Sequence, residues 1–328
     1  MDKRLGKTTE DRKTYKPFWF DFAYKACETQ HQAHWLPYEI DLTQDVQDFN
    51  RKMTDLERSI ITKVLRFFTQ TDLEIARAYV DYYLPIFKCP EVRMMLTSFA
   101  NMETIHVISY AYLNTSLHIP DEEYATFLKH KEMMDKYDYM HSFDPQNPES
   151  IALTLAVFSG FIEGVVLFSS FAILLYLALC KNLLKGVGQI ISFSIRDEVL
   201  HSTSVIQLYH CYLAEHPEID IKVLHEKIYK ECEIVINLEI NFINLIFAEG
   251  ELDNFSKKDL IDFVYYLRDI KLINLGLKPL SNITTNPLHW MEKALLVEEY
   301  GNFFETSITT YAKGSYQQMK DEPLVFNY

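Results

Sequence analysis

The sequence has 328 residues, 48% hydrophobic and 14% aromatic, which is enough to bury a large core. With 9 Gly and 11 Pro and no Gly/Ser/Pro-rich linker, it reads as one α-helical domain rather than a string of small ones. A formal net charge of −14 makes a nucleic-acid backbone an unfavourable partner.

Residues 1–20 read as a polar N-terminal arm whose charged start, MDKRLGKTTEDRKTYK, lacks the apolar stretch of a secretory signal. A segment rich in aromatics and acids follows, to which the periodicity assigns no helix. Helices are expected over 54–83, 91–118, 121–136, 149–183, 185–215, 220–248, 256–275 and 289–313. Pro85, Pro90 and Pro120 punctuate the first three, and Gly186 and Gly188 loosen the join before the helix over 185–215. Residues 21–313 form the expected helical domain. Residues 314–328 lose the helical period and end in an apolar cluster, PLVFNY, which reads as a flexible tail. Cys27, Cys89, Cys180, Cys211 and Cys232 contain no Cys-x-x-Cys, as expected of free thiols in a reduced cytoplasm.

Two of these helices carry a Glu-x-x-His pair in apolar surroundings: Glu103–His106 and Glu198–His201. Three residues on a helix bring side chains back to nearly the same face, so each pair presents a carboxylate and an imidazole together. A third pair, Glu28–His31, lies in a polar stretch and is read as a chance match. Glu163 is the only charged residue from Ile151 to Cys180. That run is long enough for a membrane span. A carboxylate at its middle, the dilution by Ser159, Gly160, Ser169 and Ser170, and the lack of flanking basic clusters favour a helix packed on all sides in a bundle. With Asp72, the set comes to four carboxylates and two imidazoles. This is the established ligand pattern of ferritin-like carboxylate proteins, which hold two metal ions between helices. Tyr110, four residues after His106, stacks above that imidazole on the same face.

The segments METIHVISY, SIRDEVLH, GFIEGVV and HWLPYEIDL, in that setting, resemble the small, radical-generating subunit of class I ribonucleotide reductase, over about Tyr15 to Tyr311. The resemblance implies an all-α, ferritin-like bundle with extra helices and a di-metal site in its core. It implies Asp72, Glu103, His106, Glu163, Glu198 and His201 as metal ligands, with Asp72 chosen over Glu74 by its distance from Glu103. It implies Tyr110 as the residue oxidised to a stable radical, and Trp35 and Asp197 as a relay of electrons and protons between subunits. Two metal ions are implied, iron ahead of manganese or a mixed pair. The implied partners are a second copy of the chain, a large catalytic subunit and an accessory flavoprotein, with no nucleic acid and no membrane. Another ferritin-like di-metal oxidase, acting on a small substrate without a stable radical, is the alternative. Two departures stand out. The Glu163–Glu198 interval is one residue longer than is common in the family, which an extra residue between helices or a π-bulge would absorb. Ser194 stands where an aliphatic side chain often shields the radical tyrosine.

Overall fold

The computed structural model describes residues 6–120 and 128–292, without the side chains of 67–69. Among the described residues ten α-helices run in order: α1 (Asp21–Gln32), α2 (Thr43–Arg51), α3 (Asp55–Arg77), α4 (Pro90–Ser116), α5 (Lys131–His141), α6 (Pro148–Val157), α7 (Leu167–Leu179), α8 (Lys185–Glu215), α9 (Ile221–Ile246) and α10 (Lys257–Asn274). Two π-helical stretches interrupt them, π1 (Ala78–Tyr83) after α3 and π2 (Phe158–Val166) between α6 and α7. Among the described residues there is no strand beyond a single bridge, Leu252 to Phe255.

The helix starts are written in the sequence. Thr54 accepts from the Glu57 backbone N–H while Glu57 accepts from that of Thr54, so α3 opens on a capping box. Asn147 with Ser150 does the same for α6, where Pro148 fills the first position, and Ser256 with Asp259 does it for α10. The start of α8 is held differently. Leu184 takes a left-handed backbone (φ 53°), and its N–H donates to Asp48. The next free N–H groups, of Gly186 and Val187, donate to Asp45. Two buried acids on α2 thus satisfy the helix end that leads to Glu198.

The architecture places four rods around one core. α3 lies along α4, the continuous α6–π2–α7 rod lies along α8, and α10 packs against π2. The rod Pro148–Leu179 is long and apolar enough to cross a membrane, but 89% of its most apolar window is buried inside the protein. Two of its serines are paired: Ser159 and Ser169 donate to Leu155 and Val166 carbonyls, and Ser169 also reaches Glu239, which pairs with Lys136 at 2.5 Å. The arm of the chain is not loose in its described part. Thr8 donates to Glu215, and Arg12 pairs with the buried Glu91.

The expected and observed helices agree for α3 taken with π1, α4, the 149–183 rod, α8, α9 and α10 to within a few residues. Two differences have identifiable causes. α1 and α2 were not expected. α1 buries Ala23, Ala26, Cys27 and Gln30, small or polar residues that carry little apolar signal, and α2 buries the capping acids Asp45 and Asp48. The helix expected over 121–136 lies partly outside the described residues; its described part starts at Lys131, burying Met133 and Met140, and runs on to His141. Of the helix expected over 289–313, only a short turn, His289–Met291, and Glu292 are described; the remainder and the 314–328 tail lie outside the described residues.

Candidate metal centre

Each of the four rods contributes to one buried cluster. Asp72 comes from α3, Glu103 and His106 from α4, Glu163 from π2, and Glu198 and His201 from α8. None is more than 2% exposed. The ligand-capable atoms form two overlapping sets, Asp72–Glu103–His106 and Glu103–Glu163–Glu198–His201, with every atom of a set within 4.8 Å of the others. Glu103 belongs to both. Sequence reasoning named these six residues, and the fold brings all six together.

The hydrogen bonding tests whether metal ions fit. Both oxygens of Asp72, Glu103 and Glu198, and Nδ1 of both imidazoles, carry no hydrogen bond, although His201 Nδ1 sits 2.8 Å from Glu103 Oε1. Buried polar atoms are rarely left this way, and this many converging on one point call for a cation. The outward imidazole nitrogens, by contrast, are engaged. His106 Nε2 lies 3.2 Å from Asp197 Oδ2, and His201 Nε2 lies 2.8 Å from the Gln30 amide oxygen. With Nε2 carrying the proton, Nδ1 of each ring faces inward as a lone-pair donor. The donor set of carboxylate oxygens and imidazole nitrogens suits two divalent ions of the iron or manganese type.

Four acids so close together cannot all ionise without a cation. Burial, reinforced by the charges of Glu103 and Glu198, holds the carboxyl of Asp72 well above its ordinary range. Burial and the same neighbour push Glu198 up to about 7. Glu163 is likewise raised, by burial and then by Glu198 and Glu103. At Glu103 burial pulls the same way, but without metal the charge of a protonated His106 and contacts from both imidazoles outweigh it and keep this carboxyl low.

Around the cluster, Asp197 accepts from Trp35 Nε1 at 2.8 Å and from the Gln30 amide at 3.1 Å. Trp35, Asp197 and His106 therefore form one hydrogen-bonded line from the loop after α1 to the cluster. Trp35 is 3% exposed, and its ring lies 6.0 Å from that of His106. Tyr110 is fully buried, and its hydroxyl lies 2.9 Å from Ser194 Oγ. Glu74, passed over in the sequence, turns away to Arg77 and His141 at 3.0 and 3.1 Å. Glu28 and His31 are exposed on α1. A π segment, one of the two devices that would absorb the long Glu163–Glu198 interval, carries Glu163 itself.

Three residues escaped sequence reasoning. Gln30 joins the two outward hydrogen-bond lines, and a polar position on an unrecognised helix gave no signal for it. Tyr79 donates to Glu163 Oε1 at 2.6 Å; its place seven residues after Asp72, on the same helix face, was the available clue. Lys271, on α10, donates to Ser202 beside His201 at 2.8 Å, and its stem crosses Gly164. Burial pulls its amine down to about 8.

The family model described as "Ribonucleotide reductase, small chain" matches residues 12–287. A probable ribonucleoside-diphosphate reductase small subunit of invertebrate iridescent virus 3 is 36% identical, covering 94% of this chain and 86% of its own length. The ribonucleoside-diphosphate reductase subunit beta of Chlamydia pneumoniae is 27% identical over 85% of this chain and 84% of its own. Among solved structures, the ribonucleotide reductase R2 subunit from Clostridium botulinum superposes with a TM-score of 0.80 at 20% identity, over 88% of this chain and 94% of that one. Streptococcus sanguinis dimanganese(II)-NrdF gives 0.74 at 21% identity, over 83% and 94%. These two share the fold.

Proposed function

The chain belongs to the ribonucleotide reductase small-chain family, and on that premise we propose that it generates the tyrosyl radical a large subunit uses to reduce ribonucleoside diphosphates to deoxyribonucleotides. The observation that carries the reading is the convergence of four carboxylates and two inward-facing imidazoles in a buried core, with the phenol of Tyr110 sealed in the same core. Asp72, Glu103 and His106 would hold one metal ion; Glu163, Glu198 and His201 would hold the other, with Glu103 common to both sets. Bound there, a pair of iron ions, or of manganese or one of each, supplies oxygen activation and a one-electron oxidant.

The protein's own residues supply the rest. Tyr110 would give its electron to that oxidant and its phenolic proton to a base held at the loaded centre. The apolar core in which Tyr110 is fully buried keeps water and reductants from the phenoxyl oxygen. Asp197 holds His106 and Trp35 in one hydrogen-bonded line, so an oxidising equivalent can leave through aromatic rings without a charged intermediate being exposed to water. The ribonucleotide is reduced on the large subunit. The chain acts as a homodimer, docks on that subunit through its 314–328 tail, works in the cytoplasm, and draws its oxidant with the help of an accessory flavoprotein.

Electron paramagnetic resonance of the iron-loaded, oxygen-treated protein is expected to give a tyrosyl signal that Tyr110→Phe abolishes. A tyrosyl signal that persists in the variant overturns the assignment.

A further inference from the structure

The four carboxylates of the centre are not equivalent. Asp72, Glu103 and Glu198 have both oxygens without a hydrogen bond. Glu163 has one oxygen already engaged, Oε1, which accepts from the Tyr79 hydroxyl at 2.6 Å. Both residues are at most 2% exposed, so no water competes for that oxygen.

The phenol is placed by the helix that carries Asp72. Seven residues separate it from Asp72, which on a helix amounts to roughly two turns, so both side chains leave α3 and π1 on the same face. Asp72 enters the set with His106, and Tyr79 meets the other set. The ring stands edge-on to Phe99 at 6.0 Å, to His201 at 6.2 Å and to Tyr83 at 5.7 Å. Clamped on three sides, it cannot follow Glu163 if the carboxylate swings. With Glu163 ionised, as a metal ligand must be, the O–H···O bond is charge-assisted and among the stronger ones available to a protein.

We propose that Tyr79 is a positioning residue of the metal centre: it holds Glu163 Oε1 so that Glu163 ligates through Oε2 alone, and so sets the affinity of the metal position shared with His201. The proposal rests on Glu163 being a ligand. It predicts an asymmetric effect. Removing the phenolic oxygen frees Glu163 to rotate, which weakens one position and spares the position of Asp72 and His106.

The test uses the full chain and Mn(II) alone, without oxygen, read by calorimetric titration and by electron paramagnetic resonance. Tyr79→Phe is expected to bind one Mn(II) as the parent protein does and the second about 10- to 100-fold more weakly, the range for lost partners of metal ligands. At one Mn(II) per site, the spectrum of a coupled pair should give way to that of an isolated ion. Tyr79→His, which restores a ring N–H donor on the same face, is expected to recover part of the second affinity. Equal weakening at both positions, no weakening, or identical affinities for the Phe and His variants would overturn the proposal, since each assigns Tyr79 to packing alone. Glu163→Ala separates this from the parent reading: two full-affinity Mn(II) ions in that variant remove Glu163 from the ligand set, whereas loss in Glu163→Ala with none in Tyr79→Phe removes only Tyr79.

Discussion

The hydroxyl of Tyr110 lies 2.9 Å from Ser194 Oγ, four residues before Glu198 on α8. An aliphatic residue at 194 would leave the phenol facing hydrocarbon at that point; here it faces a second hydroxyl. Burial, with the charge of Asp72, holds the phenol well above its ordinary titration range, so it stays protonated and keeps a hydrogen to share. After oxidation the phenoxyl oxygen can only accept, and Ser194 becomes the donor.

Ser194→Ala is therefore expected to form the radical and to change its character. High-field electron paramagnetic resonance should show a shifted g-anisotropy and the loss of one exchangeable-proton coupling. Faster radical decay is not expected, because alanine keeps the wall apolar. Unchanged g values and coupling would mean that the hydroxyl does not bond to the oxidised ring.

The Trp35–Asp197–His106 line separates making the radical from using it. Trp35→Phe keeps an aromatic ring but removes the Nε1–H that Asp197 accepts. The radical yield should stay near that of the parent. Nucleotide reduction with the large subunit should fall by about 100-fold or more, the scale on which positioned proton-transfer groups act. Comparable activity at equal radical content would take Trp35 out of the relay.

Gly164 is glycine because Lys271 needs its space. A Cβ there would lie 2.5 Å from Lys271 Cε and 3.0 Å from the Ser159 carbonyl oxygen. The lysine cannot simply withdraw, since its amine is tied to Ser202. Gly164→Ala should cost about 1–3 kcal/mol of stability in denaturant unfolding, as overpacking does. Lys271→Ala in the same chain should recover part of that, because the two positions share one clash. An additive double mutant would refute the contact.

Metal loading should depend on pH in a stated direction. Glu198, pushed up to about 7 by burial and Glu103, is protonated below that value, and Asp72 and Glu163 are raised too. Metal ions bind the ionised forms, so affinity should rise with pH across a window of roughly one unit either side of 7, with protons released on binding. The metal-free protein runs the other way. Carboxyls raised above their unfolded values stabilise the fold in acid, and that contribution is lost as pH rises through about 7. Thermal unfolding of the metal-free and Mn(II)-loaded protein across this range should therefore diverge; parallel curves would contradict the assignment.

The sequence alone determined the helical class and all six clustered residues. Long apolar stretches with period near 3.6 specify helices, and a charge inside such a stretch is too costly to exist without a purpose, so Glu103, Glu163 and Glu198 stood out by context. Tyr110 could be named because four residues on one helix fix a neighbour. Tertiary structure decided what depends on contacts between helices. Gln30 closes a hydrogen-bond network with residues far along the chain, Tyr79 finds Glu163 across two π segments, and Ser194 meets Tyr110 from another helix. The capping role of Asp45 and Asp48 exists only once the start of α8 presents its free N–H groups to them. Periodicity reports which face of a helix is buried; the partner that face meets is set only when the helices pack.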